Sequence, residues 1–469
     1  MSDTETKPAT RVERDSMGEM EVPADALYGA STQRAVINFP ISGQRFPRRF
    51  IRAQALIKQA AAEVNAELGL LDADRATAIS AAAREVAEGR HDEHFPIDVY
   101  QTGSGTSTNT NFNEVIARLA SQRLGARVHP NDDVNKCQSS NDTVPSAMQL
   151  AAAQAIEEEL IPGLERLRGA LAAKADEFMP IVKTGRTHLQ DATPVRLGQE
   201  FSGYAGQVEE SIRRARQARD ELVVIPLGGT AVGTGINAHP DYAPRACERL
   251  SALTGLAVRE TPNHFHAQAA LDAMIAAHGA VRTVALSLWK VASDMRLMGM
   301  GPRAGLAELA LPETQPGSSI MPGKVNPVIV ESLTMVVARV VGNDATIAFG
   351  QTGSFLELNV MMPVTAVAML ESIGLLANSA RNFSERCVEG VQATERGPEL
   401  VEKGLMLATA FAPVVGYDEA ATMAKEAFRT GRTIRELARE RGFSEEDLDR
   451  IIDPGKLTEP GLEGGPAGG

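Results

Sequence analysis

Residues 267–292 read AQAALDAMIAAHGAVRTVALSLWKVA, a long run in which small and aliphatic side chains recur at helical spacing. A related stretch, AAAQAIEEEL, occupies 151–160. Working outward from these two, long helical patterns cover about 143–178, 194–222, 262–300, 325–350 and 356–388. Helices of this length are hard to satisfy in one small globule. They imply an extended bundle, completed by other subunits wherever an exposed stripe is apolar.

Composition agrees with a helical reading. The chain has 469 residues, enough for about three domains and a real core. Hydrophobic residues make up 43%, which is globular, yet aromatics make up only 4%. A core of Ala, Leu and Val with few rings suits closely packed helices better than a β-sandwich. Lys and Arg number 47 against 60 Asp and Glu, a net charge of −13. That balance argues against general nucleic-acid binding and against adhesion to an anionic membrane. Cys137, Cys247 and Cys387 lie far apart, with no CxxC or His/Cys cluster. Neither a disulfide framework nor a zinc site is expected, and scattered thiols suit a reducing cytosol. The opening MSDTETKPATRVERD has no apolar core of a signal peptide, and its acidic residues do not fit a transit peptide. The most apolar stretch, Val360 to Leu370, is interrupted by Pro363, so no membrane span is expected. These features predict a soluble cytoplasmic protein.

The flanks read differently from the middle. Residues 1–13 are expected to be a flexible tail. Leu56, Ala60, Val64 and Leu68 mark a helix stopped at Gly69, and Asp72 caps a second that stops at Gly89. FPIDVYQTGSGTSTNTNFN (95–113) reads as loop, and GGTAVGTG (228–235) as a turn or short strands. Tyr417–Gly431, Thr433–Arg441 and Glu445–Ile452 read as short helices, ahead of a disordered tail at 458–469. The expected organisation is an N-terminal domain at 14–140, a central helical bundle at 141–390 and a small helical domain at 391–457.

Three polar, glycine-punctuated segments interrupt the helices at predicted helix boundaries, where free N–H groups and the positive dipole end favour anions. TGSGTSTNTN (102–111) places Ser104 and Thr106 around Gly105, donors that can wrap a small carboxylate. Alone, it reads as readily as a solvated loop. HPNDDVNKCQSSND (129–142) supplies Ser139, Ser140 and Asn141 before a long helix whose N-cap is Asn141 or Asp142. GRTHLQDATP (185–194) places Thr187 and His188 before another, with Pro194 near its first turn. His188 sits in a polar loop rather than on an apolar stripe. It suits acid–base work, with a capping or merely exposed role as the alternative. His264 and His266 do not share a helix face and read as structural or as minor pocket walls. His91 and His94 read as surface residues. PGSSIMPGKVNP (316–327) brackets Ser318, Ser319, Lys324, Val325 and Asn326 with prolines and glycines. Such a loop can close over an anion. A serine bedded in backbone N–H groups near a lysine can be stabilised as an oxyanion and act as a base.

At these segments the sequence resembles the fumarase/aspartase superfamily, whose signature loop PGSSIMPGKVNP matches. Gly323 within MPGK, His188 within GRTHLQDA, and HPNDDVN resemble class II fumarase in particular. The similarity runs from about Arg11, through VPADALYGASTQRAV (22–36), to GYDEAA (416–421). Departures are Cys137 where serine is usual, TNTNFN with the bulky Phe112, and His264 and His266 where a lysine and a glutamate are common. The resemblance implies a mostly α fold whose central five-helix domain joins three others in the twenty-helix core of a homotetramer. It also implies active sites shared between subunits. It further implies reversible hydration of fumarate to L-malate, a small dicarboxylate, in the tricarboxylic acid cycle, without cofactor or metal. Ser318 would be the base, with His188, supported by Glu331, handling the hydroxyl. Which of Ser318 and His188 takes the carbon proton stays open. Ser104, Gly105, Thr106, Ser139, Ser140, Asn141, Thr187 and Ser319 would hold the substrate, with Lys324, Val325 and Asn326 at the charged carboxylate. His129, Pro130, Asn131 and Asp132 match a second anion site. The nearest alternative is aspartate ammonia-lyase or another succinyl-substrate lyase on the same scaffold.

Overall fold

The computed structural model describes residues 9–461. Seventeen α-helices dominate the described residues, and the strands form only two-stranded pairs. The chain divides into two compact units. The first holds residues 1–162, 213–285 and 336–378, and the second 163–212, 286–335 and 379–469.

In the first unit, the Arg48–Glu67 helix packs on Ala73–Ala87, Ser140–Ala155 and Tyr242–Thr254. The Ala73–Ala87 helix in turn packs on Thr106–Leu124. Ala53, Ala60, Ala82 and Ala83 are fully buried and let the axes approach, while Ile57, Ile79, Phe112 and Ile116 fill the gaps. Burying one of these larger side chains contributes about 1.5–3 kcal/mol. Asp72 accepts hydrogen bonds from the N–H groups of Asp74 and Arg75, as an N-cap should. Gly69 and Gly89 adopt positive φ just beyond their helices. Of the expected tail at 1–13, residues 10–13 instead belong to the strand Thr10–Asp15, paired antiparallel with Gly18–Pro23. Residues 1–8 lie outside the described residues.

The second unit carries the hairpin Val182–Thr187/Gln190–Arg196 and a C-terminal cluster around Phe411, Met423, Ile434, Leu437 and Leu448. The three short helices expected there form at Tyr417–Thr430, Ile434–Glu440 and Glu445–Ile451. Thr433 and Ser444 each close a capping box. Of the expected tail at 458–469, residues 462–469 lie outside the described residues.

The long helices are Leu197–Leu222, Asp272–Met298, Val328–Gly350 and Met362–Phe383. Two expectations need correction. The helix expected from 194 starts at Leu197, because Pro194 is a buried strand residue opposite Thr184. The stretch from 262 is broken into His264–Ala269 and Asp272–Met298 by extended backbone at Ala270. One helix, Met362–Val388, is long and apolar enough to cross a membrane. Its most apolar window has mean hydropathy 1.2 and is 67% buried within the fold, as a core helix would be.

Candidate active site

The segment at 102–111 was expected to be loop, but from Thr106 it is the start of the Thr106–Leu124 helix. Thr108, Asn109 and Asn111 are buried and find partners in Gln101, Asn135 and the His94 carbonyl, which overrides their preference for turns. Gly103 lies against the chain at Val360, where a Cβ would stand 1.8 Å from the Val360 carbonyl oxygen. Gly105 is the N-cap at φ +71. Only glycines allow this crossing and this cap. The segment therefore delivers Ser104, Gly105 and Thr106 at a helix N-terminus.

The second segment arrives beside it. The N-cap of the Ser140–Ala155 helix is Ser139, neither Asn141 nor Asp142 as expected. Ser139 Oγ accepts from the Asn141 N–H at 3.2 Å, and Asp142 Oδ1 accepts from the Ser139 N–H at 2.9 Å. Asp142 at the third helical position closes a capping box, which a serine at the cap permits. Thr106 Oγ1 lies 3.0 Å from Ser104 Oγ and 2.8 Å from Ser140 Oγ, and Ser140 donates to Asn141 Oδ1 at 3.3 Å. Two helix N-termini thus meet through a chain of hydroxyls. Ser104 and Ser140 are buried, while Thr106 is exposed.

The 228–235 turn completes this group. Asn141 Nδ2 donates to the Ala231 carbonyl at 2.8 Å. Buried Asp142 Oδ2 accepts from the N–H groups of Gly228 and Thr230, both at 3.0 Å. Burial raises the Asp142 carboxyl above its usual range, against the pull of those N–H donors. The glycines of GGTAVGTG were visible in the sequence, but nothing there tied them to Asp142.

His129 precedes a single wide helical turn, Pro130–Val134. Its Nδ1 accepts from the N–H groups of Asn131 (3.3 Å) and Asp132 (3.0 Å). His129, Pro130 and Asn131 line a cavity of about 750 Å³ whose charged walls are mixed: Arg14, Arg118 and Arg127 face it together with Glu13, Asp15 and Glu114.

His188 lies in the second unit. Thr187 pairs with Gln190, so His188 and Leu189 form the two-residue tip of the hairpin, at φ 56 and 60. Both central residues at positive φ is the backbone of a type I′ turn, normally reserved for Asn or Gly. Holding a non-glycine residue there costs about 1–3 kcal/mol, a kind of strain that clusters at functional sites. Thr187, His188 and Leu189 are exposed. The base of the hairpin is pinned. A bulge between Thr184 and Arg186 turns Arg186 to the same partner as Lys183. Buried Glu308 takes Lys183 Nζ at 3.2 Å and Arg186 at 2.9 Å, and Lys183 also reaches Glu200 at 3.0 Å. No sequence signal pointed to Glu308.

The 316–327 loop, in the same unit, is closed on itself. Gly317 N–H donates to the Lys324 carbonyl (2.8 Å), and Asn326 Nδ2 donates to the Gly317 carbonyl (2.7 Å). Gly323 takes φ +79 at the turn. Ser318 Oγ accepts from the N–H groups of Met321 (2.9 Å) and Ile320 (3.2 Å). Ser319, Lys324 and Val325 are exposed, and Glu331 is exposed in the first turn of the Val328–Gly350 helix.

The remaining histidines divide. His264 Nε2 meets the Leu227 carbonyl (3.2 Å) and His266 Nε2 meets Asp272 (2.8 Å). His91 and His94, expected at the surface, are half-buried. With Glu93 they bring three possible ligand atoms within 4.8 Å of one another, a grouping that the wide view of His/Cys clusters overlooked. His278, not singled out from sequence, is fully buried between Asp344 and Ser372, at 2.9 Å from each.

Comparison with known proteins bears on all of these segments. Residues 18–342 match the family described as Lyase, and residues 407–459 match Fumarase C C-terminus. Fumarate hydratase class II 2 of Bradyrhizobium diazoefficiens is 51% identical, over 97% of this chain and 98% of its own. Fumarate hydratase class II of Mycobacterium tuberculosis is 53% identical, over 94% and 95%. The crystal structure of class II fumarase from Schistosoma mansoni superposes with a TM-score of 0.94 at 38% identity, over 96% and 99%. With its fold and nearly its whole length shared in this way, the chain belongs to the class II fumarate hydratase family.

Proposed function

We propose that the protein is a fumarate hydratase, a hydro-lyase interconverting fumarate and L-malate. The observation that carries the reading is the match of nearly the whole chain, at 51–53% identity, to class II fumarate hydratases. The polar segments supply chemistry suited to that reaction.

In the malate direction a base takes a proton from the methylene carbon beside one carboxylate. The electron pair spreads into that carboxylate as an aci-carboxylate, and the hydroxyl on the neighbouring carbon leaves with a proton as water. The aci-carboxylate carries two negative charges where the substrate's carboxylate carries one, so donors that bind it more strongly than the substrate lower the barrier. Lys324 brings an ammonium, and Asn326 keeps one of its two amide N–H groups for the carboxylate while the other holds the loop. Ser318 is the base in this reading. Two N–H groups aimed at its oxygen favour the alkoxide over the alcohol. His188, supported by Glu331, protonates the departing hydroxyl, directly or through a water. Thr187 and Ser319 flank these two groups. Ser104, Gly105, Thr106, Ser139, Ser140 and Asn141 hold the carboxylates at the paired helix N-termini. His129, Pro130, Asn131 and Asp132 serve as a second anion site, with Arg14, Arg118 and Arg127 on the walls of the adjoining cavity.

The active enzyme is a homotetramer with shared active sites. The Val328–Gly350 helix supports this, because Met335 and Phe349 are 68% and 65% exposed on a helix that is apolar nearly all round. The cytoplasm is its compartment, in keeping with three buried, unpaired thiols.

The test is the ultraviolet absorbance of fumarate after mixing protein with L-malate, with L-aspartate in parallel. Absorbance rising with malate alone is expected. A rise with aspartate alone would make the protein an ammonia-lyase.

A further inference from the structure

Lys58 lies on the Arg48–Glu67 helix and is fully buried. Lysines are almost never buried this completely unless paired with an acid. The hydrogen-bond partners of Lys58 are instead neutral: Asn135 Oδ1 at 2.9 Å and Gln138 Oε1 at 3.0 Å. Both acceptors belong to the loop that runs into the Ser139 cap. That loop is wound around them. Asn135 Nδ2 donates to the Gln138 carbonyl, and Gln138 Nε2 donates to the carbonyls of Val134 and Lys136, each at 3.1 Å. Cys137 takes φ 61 to allow the turn.

The same ammonium reaches the other polar segment through one shared atom. Asn135 Oδ1 also accepts from Asn109 Nδ2 at 3.1 Å. Asn109 Oδ1 in turn accepts from Gln54 (3.1 Å) and from Thr143 Oγ1 (3.3 Å). Lys58 therefore joins the helix that starts at Thr106 to the loop that ends at Ser139.

We propose that Lys58 is a positioning residue for substrate binding: it fixes the loops carrying Ser104, Thr106, Ser140 and Asn141 and lends this otherwise neutral group a positive charge from inside the core. The proposal rests on the dicarboxylate reading above. In that group the donors are hydroxyls and amides, which suit a carboxylate in shape but supply no positive charge, and the carboxylate beside them, Asp142, is turned to the N–H groups of Gly228 and Thr230. A buried cation is poorly screened by water and acts at longer range than a surface one. Burial pushes the Lys58 ammonium down to about 7, with the field of Asp142 opposing the shift. The other charges on neighbouring elements are engaged elsewhere. Asp133 holds Arg75 and the His129 N–H, and Glu63 pairs with Arg249 of the Tyr242–Thr254 helix. A dianion nearby is the partner that the buried ammonium lacks.

The test uses the full-length protein with two variants, read by KM and kcat for L-malate and by calorimetric binding of succinate. Lys58→Met removes the charge. Gln138→Glu keeps the charge but offsets its field with an adjacent carboxylate, and gives up the donations from Gln138 Nε2 to the carbonyls of Val134 and Lys136. Both should weaken succinate binding and raise KM about tenfold, with kcat per folded enzyme within about threefold. A purely structural lysine predicts the opposite: fewer active molecules in Lys58→Met at unchanged KM, and no loss of succinate affinity per folded molecule in Gln138→Glu. That result overturns the proposal, and Gln138→Glu delivers it even if Lys58→Met fails to fold. Wild-type protein without fumarate–malate turnover would overturn the hydratase reading separately, while succinate binding would still decide the role of Lys58.

Discussion

Ser318 owes its assigned role to two backbone N–H groups rather than to an acid–base neighbour. Alanine at this position removes the oxygen but leaves the loop closure from Gly317 to Lys324 and Asn326 intact. Ser318→Ala should lower kcat by about 10²–10⁴-fold. Its thermal midpoint should stay within about 2 °C of wild type, since no buried contact is lost. A variant with full malate turnover would remove Ser318 from the mechanism. His278 illustrates the opposite kind of residue, buried and remote from the polar segments. Burial lowers its pKa below 6.5, although Asp344 pulls the other way. As pH falls through about 6.5, the unfolded chain takes up a proton that the folded protein still refuses. Stability present above that pH is therefore lost on acidification. Denaturant titrations at pH 7.5 and 5.5 should show wild type losing stability between them, and His278→Gln losing less.

The hairpin that carries His188 is held at its base by buried charges, and its tip is exposed. Removing the negative partner leaves Arg186 and Lys183 with only Glu200 between them. Glu308→Gln should cost about 3–5 kcal/mol in a denaturant titration. Adding Arg186→Met should recover part of that loss, because an unpaired cation is then no longer buried. If Glu308→Gln alone changes nothing, the cluster does not hold the hairpin. The same element explains why the reading near 194 slipped. Pro194 looks like the first residue of a helix, yet the bulge at Gly185 places it in a strand. A bulge depends on which strand lies alongside, and local composition carries no trace of that. The Thr106–Leu124 helix is a parallel case. Its opening of Thr, Ser and Asn reads as loop until Gln54, Asn135 and Gln101 are present to bond it.

The molecule as a whole leaves apolar surface uncovered. Phe355, at the end of the Ser354–Phe355 strand, and Leu356, in the turn that leads to the Leu358–Asn359 strand, are 71% and 89% exposed. Phe349, on the Val328–Gly350 helix, is 65% exposed as well. Sedimentation should find a species of four times the monomer mass. A second experiment tests whether sites are shared. Ser140→Ala and Ser318→Ala proteins, each nearly inactive, are dissociated together and reassembled. If the two residues act from different chains, about a quarter of the sites regain both residues and activity rises well above either parent. Activity no higher than the parents would place each complete site within one chain.

Helix class, the short C-terminal helices with the Thr433 start, and the polar segments at 102–111, 129–142 and 316–327 beside helix starts were legible in the chain, whereas GRTHLQDATP, expected just before a helix, is the hairpin instead. Each depends on local spacing, capping chemistry or composition, which a few consecutive residues carry. The PGSSIMPGKVNP loop was legible for a further reason, since it is long and unusual enough to mark the family by itself. The Ser139 cap, the link from Asp142 to Gly228 and Thr230, and the roles of Glu308, His278 and Lys58 were not. The cap is local, but three candidate residues stand side by side and only the observed backbone picks Ser139; the others join residues from tens to more than a hundred positions apart, and a buried charge has meaning only through the partners that the packed fold brings to it.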